Sequence, residues 1–577
     1  MLNSPLIIGV TSHRNLLASE VDGLRARVRT LLAQLRQQFP DLPLMVLSAL
    51  AEGGDRLVAE EALNAGAELV AVLPMPDSAY LEDFRSPESR EHYARLKQRA
   101  SMVRMTQSTH AASADFAPQG ESRDAHYAAA GMFIASHCHI LLAIWDGRNS
   151  ELAGGTAQIV RYHLDGILPG TIERRRVARP LLDRGDESLL CHLSCSRDKG
   201  PDGVLPPAAP HAPLEMRWVT QQEDTPVAEG IPVEFTRMFE RMVEFNRDMA
   251  RYRQPIEEQH RARMADAGGQ TGAGQFIEPL FSAADWLAIH FQQRVLLTLR
   301  GIHVLAALMG IAFVAYSDLP GKLGEQPSMI DLFIILFLAG VVLARVAHRR
   351  DWHRKYIDYR ALAEGLRVQR YWRLAGISAD DSVAFAHDNF MQKQDIELGW
   401  IRNVMRAAGL DPGPGSGVDM ARIDLERTIG EWIGTSSGGG QLAYYQSKCS
   451  ERSRTVSTAR RIGNVCLWTG IALGVVLAVF HRMLDSDVST YVVAVIGVLA
   501  IIAAARESYA YRKADRELIK QYRFMQHLFS SARASLDAAV DVRSKREILR
   551  ELGDASLAEH AEWALMHRER PLEHGRL

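Results

Sequence analysis

The residues best equipped for chemistry lie in short clusters, each at the end of an apolar run. Thr11-Ser12-His13-Arg14 follows Leu6–Val10, and Gly53-Gly54-Asp55-Arg56 comes shortly after Leu44–Leu47. His139–Trp145 is followed by Asp146-Gly147 and, after a short loop, by Gly154-Gly155-Thr156. A glycine pair before a helix lets backbone N–H groups approach a phosphate, and the helix N-terminus favours its negative charge. His13 and Arg14 have the donors to contact the anion or a ribose. One glycine pair also serves any tight turn; two of them beside a polar loop carry the expectation of a phosphate-bearing ligand. Asp55 and Asp146 are the carboxylates available for acid–base work.

The elements that must hold these residues are read from periodicity. The runs Leu6–Val10, Leu44–Leu47, Leu69–Leu73 and His139–Trp145 alternate with amphipathic stretches, the first reaching to about Gln38 and the second to about Asn64. That alternation predicts a parallel sheet, which binds ligands outside the carboxyl ends of its strands. Glu187–Ser194 and Leu214–Val219 read as late strands of the same domain, separated by the proline-rich Pro201–Pro213. A helix over Val233–Arg253 and the glycine-rich Ala267–Gly274 lead to Ala283–Arg300, which reads as one helix without proline or glycine.

At 577 residues the chain exceeds a single core. A net charge of −2 gives no basic excess, which argues against a general nucleic-acid binder. The five cysteines are scattered, as in a reducing compartment. Cys191-His192-x-x-Cys195 is half of a metal motif without a second half, and a buried strand explains it better. No metal or cofactor is expected. The first residues, Met1-Leu2-Asn3-Ser4-Pro5, lack the basic region of a secretory signal.

Four apolar runs interrupt the charged second half: Gly301–Ser317 (extended backwards by Val295–Leu299), Met329–Ala347, Gly463–Phe480 and Thr490–Ala505. About 20 residues of helix cross a hydrocarbon layer of about 30 Å, so these runs predict two transmembrane hairpins. Arg345, Arg349, Arg350, Arg354 and Lys355 follow the second run. Arg452, Arg454, Arg460 and Arg461 precede the third, and Arg506, Arg512 and Lys513 follow the fourth. The loops within the hairpins hold only Lys322 and Arg482, so both termini are expected in the cytoplasm.

The hairpins also repeat. Arg360-x-Leu362-x-x-x-Leu366-Arg367 aligns with Arg516-x-Leu518-x-x-x-Tyr522-Arg523 at the offset that superposes the hairpins. Trp352, Tyr356, Tyr359, Ala363 and Leu366 form an apolar stripe, either a contact between subunits or a core face within one chain. Asp411–Gly417 and Thr435–Gly440 punctuate the region between the copies, around a short amphipathic helix. Gly470-x-x-x-Gly474 permits close helix approach, either within a hairpin or between chains.

The segments LIIGVTSHRNL, LSALAEGGDRLVAEEAL, ELVAVLPMP and HCHILLAIWDG…GGTAQIV, over roughly residues 5–170, resemble the SLOG superfamily. These are Rossmann-like domains related to the DNA-processing protein DprA and to the LOG nucleotide phosphoribohydrolases. The duplicated hairpin, with Trp432…Gln441…Tyr444-Tyr445…Lys448 before the third run, resembles SLATT domains. Those are pore-type membrane effectors that accompany SLOG sensors in bacterial conflict systems. The chain departs from the hydrolytic LOG pattern in one respect: Gly154-Gly155-Thr156 is followed by Ala157-Gln158-Ile159, where that branch has glutamates.

The resulting expectation is an α/β Rossmann-like parallel-sheet domain over residues 1–225, a helical connector over 226–282 and an all-α membrane part. The latter comprises a first unit over 283–410 (spans about 297–317 and 329–347), a linker with a short helix over 411–440, and a second unit over 441–577 (spans about 463–480 and 490–505). The nucleotide-binding candidates are Thr11, Ser12, His13, Arg14, Gly53, Gly54, Asp55, Arg56, Asp146, Gly147, Gly154, Gly155 and Thr156. The resemblance implies a homo-oligomeric effector of the bacterial inner membrane, sensing a nucleotide second messenger such as a cyclic oligonucleotide or an NAD derivative. A membrane-anchored nucleotide-cleaving enzyme and a nucleotide-regulated transporter are the alternatives. The transporter reading suffers because His303 is the lone ionisable residue deep in an apolar run.

Overall fold

The computed structural model describes residues 3–84, 86–106, 121–150, 154–165, 167–168, 172–173, 188–198, 210–266, 276–318, 326–377, 390, 396–410, 418–435, 438–480, 482–513 and 515–568. The punctuating segments Asp411–Gly417 and Ala267–Gly274, and most of Pro201–Pro213, lie outside them. The chain divides into two compact units. One contains Met1–Trp286, Ala361–Ala421 and Gly553–Glu562; the other contains Leu287–Arg360, Arg422–Leu552 and Trp563–Leu577.

The strands all belong to the first unit. They are β1 (Leu6–Ser12), β2 (Leu44–Ser48), β3 (Glu68–Leu73), β4 (Met102–Met105), β5 (Ile140–Trp145), the short pair β6 (Ile167–Leu168) and β7 (Ile172–Glu173), then β8 (Leu189–Ser194), β9 (Met216–Val219) and β10 (Asp224–Pro226). The main sheet has the order β10-β9-β8-β5-β1-β2-β3-β4. The strands from β8 to β4 in that order run parallel, while β9 and β10 are antiparallel additions. The N-terminal sheet is thus mixed, mostly parallel and Rossmann-like. Its central strands carry unbroken apolar runs because both faces are covered, as a parallel sheet demands.

The helices among these strands are α1 (Val21–Gln38), α2 (Gly54–Asn64), α3 (Asp77–Tyr80), α4 (Pro87–Arg99), α5 (Glu121–His137) and α6 (Thr156–Asp165), followed by α7 (Val233–Arg251) and α8 (Arg253–Asp266). α1 buries Leu24, Val28, Leu31, Leu32 and Leu35, a stripe at helical spacing that docks on the sheet. α5 approaches β1 closely because Gly9 has no side chain: a Cβ there would fall 2.8 Å from Cys138 Cβ and Ile134 Cγ2. The edge strand β4 and the helix α4 before it were not legible as runs. β4 is four residues long and only partly buried, so its apolar signal is weak.

The remaining helices are α9 (Ile277–Asp318), α10 (Gln326–Arg349), α11 (Trp352–Leu374), α12 (Gly399–Ala408), α13 (Val418–Trp432), α14 (Gly440–Phe480), α15 (Ser486–Lys513), α16 (Asp515–Ala538) and α17 (Val542–Arg568). Within the first unit, α7 and α12 close the amino-terminal edge of the sheet. Asn246 of α7 accepts from the Ser4 N–H at 3.0 Å and donates to the Ser4 carbonyl at 3.0 Å. His139, fully buried just before β5, accepts the Ile7 N–H on Nδ1 at 3.1 Å. Its proton therefore sits on Nε2, which donates to the Asn403 carbonyl at 2.9 Å. Burial, reinforced by the Arg406 charge, pushes the His139 pKa down to about 3, so the ring is neutral. Sequence periodicity did not foresee this return of residues 399–410 to the sheet.

In the second unit the described elements are helices joined by short turns, with an isolated bridge between Thr435 and Gly438. Among the described residues four helices are long and apolar enough to cross a membrane. In the most apolar windows of α10 and α14 no residue is buried within the chain. The order of helix lengths recurs: α9, α10 and α11 have 42, 24 and 23 residues, and α14, α15 and α16 have 41, 28 and 24. So does the packing before the apolar runs. Phe291 meets Tyr359 at 5.7 Å between ring centroids, and Tyr445 meets Tyr522 at 5.9 Å and Phe529 at 5.6 Å.

The stripe on α11 resolves to a core face, since Tyr359, Ala363 and Leu366 are buried inside the chain. Gly470 and Gly474 do the opposite: a Cβ on either would meet nothing within 4 Å. Their face is not used in a hairpin.

His139→Leu should leave the Ile7 N–H buried without its acceptor and take from the Asn403 carbonyl the second donor that ties the helix to the sheet, at a cost of roughly 1–3 kcal/mol. The expected outcome is a lower thermal midpoint together with faster amide exchange in residues 399–410. Unchanged exchange there would show that the ring is not the link.

Candidate functional site

The chain visits β1, β2, β3 and β4 in one direction across the sheet, then returns through α5 to β5 on the other side of β1. The strand order thus reverses between β1 and β5, and in open α/β sheets it is outside the carboxyl ends of the strands at such a switch point that ligands bind. Pairing runs in register to Ser12 opposite Ile144, and the His13 N–H extends it by donating to the Ile144 carbonyl at 3.0 Å. The next side chains then meet. His13 Nε2 lies 3.0 Å from Asp146 Oδ1, and Arg197 Nη1, beyond the end of β8, lies 4.0 Å from Asp146 Oδ2. The Arg148 N–H donates to Asp146 Oδ1 at 3.2 Å. Burial opposes ionisation of Asp146, but His13, the Arg148 amide and Arg197 outweigh it and hold its pKa below the ordinary carboxylate value.

The turn between β2 and α2 lies against the loop after β1. Gly53 has φ +88°, and a Cβ there would fall 2.5 Å from the carbonyl oxygens of both His13 and Arg14. No other residue fits that turn without displacing the β1 loop. The Gly54 N–H donates to the His13 carbonyl at 3.3 Å, so this amide is engaged within the chain. Ser12 donates to Asp55 Oδ1 at 2.6 Å. Asp55 is buried, and burial raises its pKa to about 6 against the Ser12 and Ala51 hydrogen bonds and the charges of Arg14 and Arg56. Arg56 is buried too and points inward, donating to the Leu50 carbonyl at 3.0 Å and to Ser89 Oγ at 2.7 Å.

The third cluster is joined to the first by Tyr127 of α5. The Arg14 guanidinium sits 5.0 Å from the Tyr127 ring centroid. Gly154, at φ +71°, lies so close that a Cβ would be 2.8 Å from Tyr127 Cβ. Gln158 Oε1 accepts the Gly154 N–H at 3.3 Å, and the Gly155 carbonyl starts the ladder of α6 by accepting from Gln158 and Ile159. The start of α6 and Arg14 thus both lie against Tyr127.

A strap completes the edge. The Leu17 N–H donates to the Ser196 carbonyl at 3.2 Å, and the Asp198 N–H to the Asn15 carbonyl at 3.1 Å. Because β5 lies between β1 and β8, this pairing carries the loop after β1 across the end of β5, with Asp146 beneath it.

The structure therefore brings Ser12, His13, Arg14, Gly53, Gly54, Asp55, Asp146, Gly154, Gly155 and Thr156 to one sheet edge, with Thr11 as a nearly buried residue of β1 and Gly147 next to Asp146. Arg56 is at that edge but committed to the core. Sequence reasoning missed Tyr127 and Arg197. Arg197 follows the end of a parallel strand, so the logic applied to β1, β2 and β5 would have found it; nothing in the sequence marks Tyr127. Cys191 and Cys195 are buried, and burial pushes the Cys195 thiol up to about 12. Among the described residues no group of three His, Cys, Asp or Glu is placed to hold a metal.

Asp55 gives the edge a pH dependence. Its folded pKa of about 6 exceeds the ordinary 3.8, so between those values the folded state holds a proton that the unfolded chain gives up. Its contribution to stability must fall as pH rises through that window, by up to roughly 3 kcal/mol. Asp55→Asn should remove this decline, and thermal midpoints of the two proteins between pH 4.5 and 7 measure it. Parallel curves would show that Asp55 is not the group responsible. Compared with known protein families, and separately with curated proteins, the sequence finds no match, so its function has to be argued from this geometry.

Proposed function

We propose that this chain is a nucleotide-sensing membrane effector: a phosphate-bearing second messenger binds the carboxyl edge of the sheet and alters the permeability of a membrane crossed by two helical hairpins. The observation that carries the reading is the convergence of His13, Arg14, the Gly53-Gly54 turn and the Gly154–Thr156 helix start at the switch point between β1 and β5. The SLOG and SLATT resemblances point the same way, toward a cyclic oligonucleotide or NAD-derived ligand, a homo-oligomer, and antiphage defence at a bacterial inner membrane. α9 supports the coupling, because it is one unbroken helix from Ile277 to Asp318 and includes one of the membrane-length segments.

Sensing is favoured over catalysis by the state of the two carboxylates. Asp146 is held by His13, and Asp55 by Ser12 within the fold, so neither is presented as a free group to a glycosidic carbon. The residues after Thr156 bring none. The second reading, a membrane-anchored nucleotide-cleaving enzyme, draws on Asp55, whose pKa of about 6 suits an acid–base role at the same sheet edge as the ionised Asp146.

Nucleotides extracted from the purified protein and identified by mass spectrometry supply the probe. That nucleotide should trigger dye release from liposomes holding the wild-type chain. Gly155→Asp, which sets a carboxylate against the anion, should lower its affinity by at least about tenfold and abolish release. Steady formation of free base by the wild-type chain, lost in Asp55→Asn, would replace sensing with catalysis. Bound nucleotide without any leakage of dye or ions would leave the hairpins as an anchor.

The arginine flanks support an orientation with both termini in the cytoplasm. In a chain with Cys449 and Cys466 replaced by serine, an impermeant thiol reagent outside intact cells should label Ser486→Cys and spare Ser544→Cys. The reverse pattern would overturn the orientation.

A further inference from the structure

Several basic side chains of the second unit that lie away from the apolar runs are neutralised within the chain. Arg452 and Lys513 share Asp515 at 2.7 and 3.0 Å, Arg354 and Arg568 reach Asp358 at 3.4 and 3.2 Å, and Arg533 pairs with Asp537 at 2.6 Å. Those beside the apolar runs are not. Arg300, Arg345, Arg349, Arg460 and Arg461 are exposed, Arg506 is half-exposed, and none of the six forms an ion pair among the described residues.

Contacts within the unit set these six at nearly one level. Arg300 donates to the Tyr509 hydroxyl at 3.3 Å, and His303 lies 3.3 Å from Ser508 Oγ, which fixes α9 against α15. A Cβ on Gly301 would come within 2.9 Å of Leu343 Cδ2, which fixes α10 two residues before Arg345. The Arg452–Asp515 pair sets α14 against the junction of α15 and α16. From that pair, Arg460 and Arg461 lie about 12 Å along α14, and Arg506 about the same distance back along α15. Glu507 is the exposed carboxylate at this level. Immediately beyond it the surface turns apolar: Ile462, Val465, Leu467 and Trp468 on α14, Val304 and Leu308 on α9, and Val341 and Val342 on α10 are all exposed.

We infer that these arginines form a collar that binds the phosphates of anionic phospholipids, selecting them from the surrounding bilayer. The inference rests on the reading of the four helices as membrane spans. A guanidinium fork matches phosphate oxygens in a bidentate fashion and stays charged at any working pH. The six face outward at the height where the apolar belt ends, which is the height of headgroups. A zwitterionic headgroup brings its own cation to the same phosphate; an anionic one leaves the guanidinium charge as its nearest partner. The collar therefore discriminates by net charge, by up to about fivefold for each arginine engaged.

Trp468 is the reporter, being 67 % exposed and about 11 Å further along α14 than Arg461. The full-length chain is placed in phosphatidylcholine vesicles containing an equal fraction of either brominated phosphatidylglycerol or brominated phosphatidylcholine. The signal of a Trp468→Phe protein is subtracted. Brominated phosphatidylglycerol should quench Trp468 with an apparent association constant about fivefold or more above that of brominated phosphatidylcholine. The double variant Arg460→Gln/Arg461→Gln should bring the two lipids to parity while keeping its quenching by phosphatidylcholine, which proves that it has inserted. Equal quenching in the wild-type chain overturns the collar, as does a preference that survives both this variant and Arg345→Gln/Arg349→Gln. Absence of quenching by either lipid removes the membrane reading beneath it.

Discussion

The in-register pairing of β1 with β5, continued by the His13 N–H to the Ile144 carbonyl, governs the geometry of the candidate site. It brings two strands far apart in sequence to a common end, where the following residues have no further ladder to join. His13 and Asp146 meet there because each is the first or second residue past the pairing. The Gly53 turn can approach because it lacks a Cβ, and the Ser12 hydroxyl then donates to Asp55 nearby. Loosening the last pair of that ladder would let every one of these contacts drift.

A second constraint acts on the other unit. Among the described residues none in the most apolar stretches of α10 and α14 is buried within the chain, and exposing their side chains to water would cost about 25 cal/mol per Å². A hydrocarbon layer removes that cost while leaving the backbone satisfied inside each helix. The same helices place their unpaired arginines where the apolar surface stops. Polar and apolar surfaces here have a single explanation, which an ordinary soluble bundle does not supply.

How much was legible follows from how local each signal is. Leu6–Val10, Leu44–Leu47, Leu69–Leu73 and His139–Trp145 are continuous apolar runs, and all are central strands. The membrane-length runs are equally local. The site clusters were legible because strand ends in a parallel sheet share an edge. What escaped depends on contacts distant in the chain. Nothing near Tyr127 announces that Arg14 will stack on it, and nothing near Asn403 announces His139. The inward turn of Arg56 was hidden for the same reason: beside the local Leu50 carbonyl, its acceptor at Ser89 is set by how α4 docks. The stripe on α11 looked alike as a subunit contact or a core, and only its burial separates the two.

One consequence concerns the first unit as a whole. The candidate site lies at the carboxyl edge of the sheet, whereas α7 and α12 attach at the amino-terminal edge. A change at the site has to cross the sheet to reach them, and the sheet itself is the stiffest part of the unit, paired along every central strand. α5 is the element that touches both ends. Near its start, Tyr127 carries Arg14 and crowds Gly154; at its end, the Cys138 carbonyl accepts from Arg406 at 3.4 Å, and a Cβ on Gly409 would fall 3.0 Å from His137 Nε2. The helix is held to β1 by the close contact at Gly9. On the sensing reading, an anion that drew Arg14 off the Tyr127 ring would act on α5 at one end, and residues 406–409 would register the shift at the other.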